Sequence, residues 1–185
     1  AVASWPCAFS NSAIWAAVDS AAALAHRLDP NHPTLTVTAD IGGERVACVH
    51  RLCPDLDIMG INSYGGAPSL PERYRRAGGT KPYLVTEYGP PGTWEIGRNA
   101  WGAVEELSST RKADVYRDTY RTLAADSTLC LGSYAFVWGA KAEATPTWYG
   151  LLLPDGSRLG GVDALGEAWT GRAPADRCPV IEALT

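Results

Sequence analysis

The sequence predicts an α/β fold built on a parallel sheet, and three observations lead there. Stretches of helical and strand periodicity alternate along the 185 residues. The strand stretches are apolar on both faces, as strands buried between layers must be. Polar residues collect at the C-terminal ends of those strands, which right-handed crossovers place along one edge.

Each element has its own signal. Asn11 or Ser12 can cap a first helix, in which Ile14, Trp15, Val18, Ala22, Ala25 and Leu28 recur at helical spacing. Pro30 and Pro33, with Asp29 and Asn31 between and before them, end it in a turn. Residues 34–39 (TLTVTA) are rich in β-branched side chains and read as a strand. A short helix over 44–52 follows, then a strand over 57–62 (DIMGIN), a helix over 70–77 and a strand over 82–87 (PYLVTE). Residues 88–109 form a long loop with Pro90, Pro91, Gly92, Trp94, Gly97, Trp101 and Gly102. A helix over 110–125 carries Val115, Tyr116, Thr119, Tyr120 and Leu123 on one side. The chain continues with a strand over 131–138 (LGSYAFVW), a short extended segment over 148–153 and a helix over 162–169. The expectation is one domain over 1–185, with an irregular tail over 172–185.

Composition narrows the function. A hydrophobic share of 46% supports a packed core and argues against disorder. A net charge of −4 without a basic block argues against a nucleic-acid surface. No apolar run approaches the ~20 residues that cross a bilayer. The first residues show neither an initiator Met nor a signal-peptide pattern, so either a leader has been removed or the chain starts mid-protein. No Gly-rich phosphate loop implies a nucleotide cofactor. The five cysteines, Cys7, Cys48, Cys53, Cys130 and Cys178, are too few for a disulfide scaffold. Cys48, His50 and Cys53 do not match zinc-ligand spacing, so no metal is expected, and cysteines on a buried helix face are the simpler reading. Seven tryptophans and eight tyrosines lean towards sugar, because flat apolar rings with polar edges match the faces and rims of pyranoses.

The strand ends carry the chemistry. One ends in Asn62-Ser63-Tyr64-Gly65, the next in Thr86-Glu87-Tyr88-Gly89 and the last in Trp138-Gly139. A carboxylate closing an apolar run is costly to desolvate without a partner or a task. Glu87 is therefore the first candidate, with an ion pair to a nearby Arg or Lys as the alternative. Tyr64 can donate to Glu87 or to backbone, and Asn62 can bind a sugar hydroxyl or cap a turn. Trp138 is a candidate sugar platform. Trp94, Trp101 and Trp148 sit in loops at the same edge, and one or two of them are expected to line a groove. Trp5, Trp15 and Trp169 read as packing residues, and Arg73, Arg75 and Arg76 as a solvated helix face.

Lys81-Pro82-Tyr83-Leu84-Val85-Thr86-Glu87-Tyr88-Gly89 resembles the seventh-strand motif of retaining barrel glycosidases that use two glutamates, most closely the family 2 glycoside hydrolases. Residues 57–65 resemble the sixth strand, 132–139 the eighth and 34–40 the fifth. The resemblance implies the C-terminal half of a (β/α)8 barrel, strands five to eight with their helices. It implies Glu87 as nucleophile and Trp138 under the sugar in the cleaving subsite. The substrate it implies is a β-linked oligo- or polysaccharide.

The family's acid/base is a Glu in an Asn-Glu pair ending the fourth strand, which would fall just before the first helix here. Residues 1–11 contain no Asp and no Glu. Retaining hydrolysis needs two carboxyl groups ~5–5.5 Å apart, so the isolated chain is expected to have little or no activity. Asp40, Glu95 and Glu143 are substitutes within the chain, each more simply read as a surface charge. Open strand edges imply a homodimer or a partner supplying the N-terminal half-barrel. A non-catalytic carbohydrate-binding half-barrel, a barrel-completing subunit and a transglycosylase are the alternatives. A secreted or periplasmic site is favoured over a cytoplasmic one.

Overall fold

The structure, a computed structural model, describes residues 11–180. Trp5, Cys7 and the last part of the tail, 181–185, lie outside the described residues.

Helices and strands alternate as the periodicity predicts. The order is α1 (Ser12–Leu28), β1 (Leu35–Ala39), α2 (Arg45–Leu52), β2 (Ile58–Asn62), a 3-10 turn (Ala67–Ser69), α3 (Leu70–Arg76), β3 (Tyr83–Tyr88), α4 (Ser109–Ala125), β4 (Cys130–Ala135) and α5 (Gly160–Thr170). The strands hydrogen-bond in the order β1-β2-β3-β4, and β1 runs parallel to β2 with Leu35 opposite Ile58. Neighbours in sequence are neighbours in the sheet, without the order reversal of a doubly wound fold. This is the winding of a run of strands in a (β/α)8 barrel.

The chain divides into two compact units: residues 1–62, 69–86 and 126–132 form one, and 63–68, 87–125 and 133–185 the other. The first unit holds β1 and β2 whole, with the first residues of β3 and β4. Asn11 starts α1, its side chain accepting the Ala13 N–H at 3.1 Å. Only Ala22 of α1 is buried, whereas Ile14 and Leu28 of the expected stripe are exposed. Trp15 is half-buried, and its carbonyl accepts the Cys53 thiol at 3.4 Å. Met59 and Ile61 of β2, Tyr83 and Val85 of β3, and Tyr74 of α3 are fully buried. Gly60 has to be glycine, since a Cβ there would stand 2.7 Å from the Thr36 carbonyl.

Cys48 is fully buried on α2, as the reading of a buried helix face predicts, and it is disulfide-bonded. His50 has both ring nitrogens engaged: Nδ1 donates to the Val46 carbonyl at 2.9 Å, and Nε2 accepts the N–H groups of Thr80 and Lys81 at 2.9 and 3.1 Å. Arg73 pairs with Asp40 and Arg75 with Asp126, so two of the three arginines of the basic run are tied to carboxylates while Arg75 and Arg76 remain exposed. Arginine forks match carboxylates geometrically, and two acidic residues on other elements lie within their reach. Arg76 pairs with Glu72 one turn away at the surface.

In the second unit α4 packs on α5, and Tyr116, Thr119 and Leu123 face inward. β4 stops at Ala135 rather than running on to Trp138. The reason is local competition: the Val137 N–H donates to Tyr149 and its carbonyl accepts Leu151, at 3.1 Å each. That exchange pulls the chain out of the ladder, and the expected extended segment over 148–153 is instead a series of bends with an isolated bridge from Leu152 to Arg158. Among the described residues no helix is long and apolar enough to cross a membrane.

Candidate functional site

Glu87 is the penultimate residue of β3 and is half-buried. Its backbone carbonyl accepts the Ser63 N–H at 2.9 Å, which fixes this strand end beside the residues that follow β2. Tyr64 Oη donates to Glu87 Oε2 at 2.6 Å. The carboxylate thus meets a hydroxyl in a short contact, the first of the two partners open to Tyr64, and not the alternative cation. Burial pushes the Tyr64 hydroxyl far above the usual phenol range, and the bond to Glu87 and its charge add to this. Tyr64 therefore remains a donor at any working pH.

The Tyr64 ring is held by three aromatic neighbours. Trp94 and Phe136 meet it edge-on at 5.9 and 6.0 Å, and Tyr149 lies tilted at 5.1 Å. Such contacts remove rotamer freedom and aim the hydroxyl. Phe136 and Tyr149 are absent from the candidates read from sequence. The alternating apolar run through 136 reads as plain strand, and nothing local marks Tyr149 as a neighbour of Tyr64. Tyr149 is 1% exposed, and its hydroxyl is pushed up to about 12 by burial, with the charges of Glu143, Glu95 and Glu87 adding.

The tryptophans separate by exposure. Trp138 is 70% exposed, Trp94 67% and Trp101 89%. Trp101 stands at the tip of a built turn: Asn99 Oδ1 accepts the N–H groups of Trp101 and Ala103, both at 3.0 Å. Trp148 is the correction. It is 1% exposed, and its indole N–H donates to the Pro91 carbonyl at 3.1 Å, so it packs the unit and does not line a surface. Trp169, expected to pack, is 53% exposed and rests edge-on against Tyr120 at 6.3 Å. Within its own unit, Asn62 Oδ1 accepts the Thr86 hydroxyl at 2.5 Å. Its acceptor is thus engaged by the neighbouring strand.

The three carboxylates considered as a second catalytic group are each committed. Asp40, at φ 54°, accepts the Ile41 N–H at 2.5 Å and two nitrogens of Arg73 at 2.7 and 3.2 Å. Glu95 accepts two backbone N–H groups, from Gly92 at 2.6 Å and Gly65 at 2.9 Å. Glu143 pairs with Lys141 at 2.6 Å, and that ammonium lies 4.6 Å from the Phe136 ring centroid.

No protein-family model matches the sequence, and no curated protein matches it. Solved structures do. An exo-β-agarase aligns over 86% of this chain with TM-score 0.59 and 17% identity. Bacteroides uniformis β-glucuronidase 2 aligns over 78% with TM-score 0.56 and 15% identity. A GH128 exo-β-1,3-glucanase from Aureobasidium namibiae aligns over 85% with TM-score 0.52 and 13% identity. The chain spans 23%, 18% and 59% of those chains, respectively. At such identities the likeness concerns the fold: this chain has the α/β fold of part of a glycosidase-type (β/α)8 barrel.

Proposed function

We propose that this chain forms the C-terminal half of a retaining β-glycoside hydrolase barrel, with Glu87 as its nucleophile. One observation carries the reading. A half-buried carboxylate at a strand's C-terminal end, where barrel enzymes keep their chemistry, accepts a short bond from Tyr64. In the first step Glu87 attacks the anomeric carbon as the bond to the leaving oxygen breaks. In the second, water releases the sugar. Tyr64 orients the carboxylate. Trp138 offers a platform for the ring, and Trp94 and Trp101 extend the aromatic rim. The proton for the leaving oxygen comes from a carboxyl group outside this chain, since Asp40, Glu95 and Glu143 are engaged elsewhere. The substrate class is a β-linked oligo- or polysaccharide, a class that the agarase and the glucanase carry in their names. A sugar acceptor in place of water would make the same site a transglycosylase.

An activated glycoside tests this without the missing acid. A 2-deoxy-2-fluoroglycosyl fluoride needs no proton on its leaving group. Attack by Glu87 expels fluoride and leaves a covalent sugar ester. Mass spectrometry of the digested protein should find that ester on the peptide containing Glu87, and Glu87→Gln should abolish it. A folded chain that binds β-glycans yet never labels would support the non-catalytic binding half-barrel instead.

The exposed apolar residues of the end strands favour a completing partner, either the N-terminal half-barrel or a second copy. Leu35 and Val37 of β1 are 43% and 49% exposed, and Leu131 and Tyr134 of β4 are 58% and 63% exposed. The disulfide at Cys48 favours an exported protein, since oxidised pairs persist outside the reducing cytosol.

A further inference from the structure

Glu95 is distinguished by what it ties together. A single oxygen, Oε2, accepts the N–H of Gly92 at 2.6 Å and that of Gly65 at 2.9 Å. Gly65 belongs to the loop after β2, and Gly92 to the loop after β3. The Glu95 N–H closes the turn by donating to the Gly92 carbonyl at 2.8 Å. Both glycines leave room that any other residue would fill. A Cβ on Gly65 would stand 3.0 Å from the Glu95 carboxylate, and one on Gly92 would stand 2.4 Å from the Trp94 ring. Trp94 is therefore laid against the Gly92 backbone, and from there it meets Tyr64 edge-on at 5.9 Å and 89°. Tyr64 in turn holds Glu87.

We propose that Glu95 is a positioning residue: its carboxylate clamps the turn that stands Trp94 against Tyr64, and it does not move a proton. The geometry distinguishes this role from the other two open to a loop carboxylate. A solvated charge would hold no backbone group. A general acid or base must gain and lose a proton during turnover. The clamp needs only one acceptor oxygen with two lone pairs, which the side-chain carbonyl of glutamine also has. Glutamine should therefore preserve the clamp, and alanine should release it. The kinetic part of this proposal rests on the glycosidase reading of Glu87; the clamp itself does not.

The test uses the full chain with Glu95→Gln, Glu95→Ala and Gly92→Ala, each with and without Trp94→Phe. The difference in near-ultraviolet circular dichroism between each pair isolates the Trp94 signal from the other tryptophans. The signal should persist in Glu95→Gln and collapse in both Glu95→Ala and Gly92→Ala. Covalent labelling by the fluoroglycoside adds a second readout. Its half-saturating concentration should rise about tenfold in Glu95→Ala and stay near the starting value in Glu95→Gln, as loss of a positioned binding wall predicts. Survival of the Trp94 signal in Glu95→Ala overturns the clamp. So does hydrolysis that fails equally in the Gln and Ala variants and is restored to Glu95→Ala by azide, the signature of a lost acid/base. If the spectra behave as stated while Glu87→Gln leaves labelling unchanged, the glycosidase reading falls and the clamp stands.

Discussion

At the residue scale, the Tyr64 hydroxyl is the smallest group whose removal tests the site. Tyr64→Phe keeps the ring among Trp94, Phe136 and Tyr149 and deletes only the donor to Glu87. Labelling of Glu87 by an activated glycoside should slow by roughly 10²-fold, as for other oriented donors to reacting oxygens. Chemical denaturation should register about 1.5–3 kcal/mol, the net worth of one hydrogen bond to a charged group. A rate within twofold of the parent would assign Tyr64 to packing. The two loop tryptophans Trp101 and Trp148 make an opposing pair. Trp148 is 1% exposed and Trp101 89%. Trp148→Ala should cost about 3–5 kcal/mol by emptying a packed position. Trp101→Ala should stay within about 0.5 kcal/mol and reveal itself only in glycan binding. Denaturant midpoints for the two variants check this directly, and equal losses would contradict it.

At the scale of elements, the loops after β3 and β4 are joined through α4. Lys112 on α4 is 7% exposed, and its ammonium bonds both Glu106 and the Thr147 carbonyl, the latter at 2.7 Å. The Thr147 hydroxyl donates to the same Glu106 oxygen at 2.7 Å. Glu106 precedes α4 and Thr147 lies between β4 and α5, so one buried pair anchors both loops to a helix. A buried pair contributes little net stability against an apolar replacement, but breaking it strands a charge. Lys112→Met should therefore cost about 3–5 kcal/mol, and adding Glu106→Gln should recover part of that loss. Thermal melts of the single and double variants decide it. A double variant no better than the single would mean that the loops, rather than the charge, had been lost.

At the scale of the whole molecule, acid should unfold the protein through a few specific carboxylates. Burial opposes ionisation of Asp126, but the bonds from Tyr83 and Arg75 outweigh it, and its carboxyl lies below the ordinary 3.8. Glu106 lies below 4.5, burial again being outweighed by Lys112 and the hydroxyls of Thr145 and Thr147. Asp57 lies below 3.8, chiefly through the Thr34 N–H. A depressed folded value binds fewer protons than the unfolded chain. The stabilisation is then fully present above about pH 4.5 and drains away as pH falls through the folded values. Denaturant midpoints should be level between pH 5 and 7 and fall steeply below 4, and Asp126→Asn should flatten that fall. The exposed end strands make a separate prediction. The molar mass of this chain in solution should rise with concentration, and charged substitutions at Val37 and Tyr134 should suppress the rise. A strict monomer across the concentration range would remove the case for a second copy as the completing partner.

What could be read from the sequence is what local physics determines. Among the described residues, alternating periodicity located the α-helices and the four sheet strands to within a few residues, because burial on a sheet or a helix leaves a fixed spacing. The position of Glu87 at the end of an apolar strand was legible for the same reason: a charge ending such a run has to answer for its desolvation. Its bond from Tyr64 was one of two partners the sequence left open, backbone being the other, and the fold chose Glu87. The tertiary structure alone decided which charges are partnered and which aromatic rings are buried. Asp40 meets Arg73 across 33 residues, and the Trp148 indole finds Pro91 across 57. Glu95 looked like a loop charge until the fold brought Gly65 to it. Such pairings depend on distances through space, which no periodicity along the chain encodes.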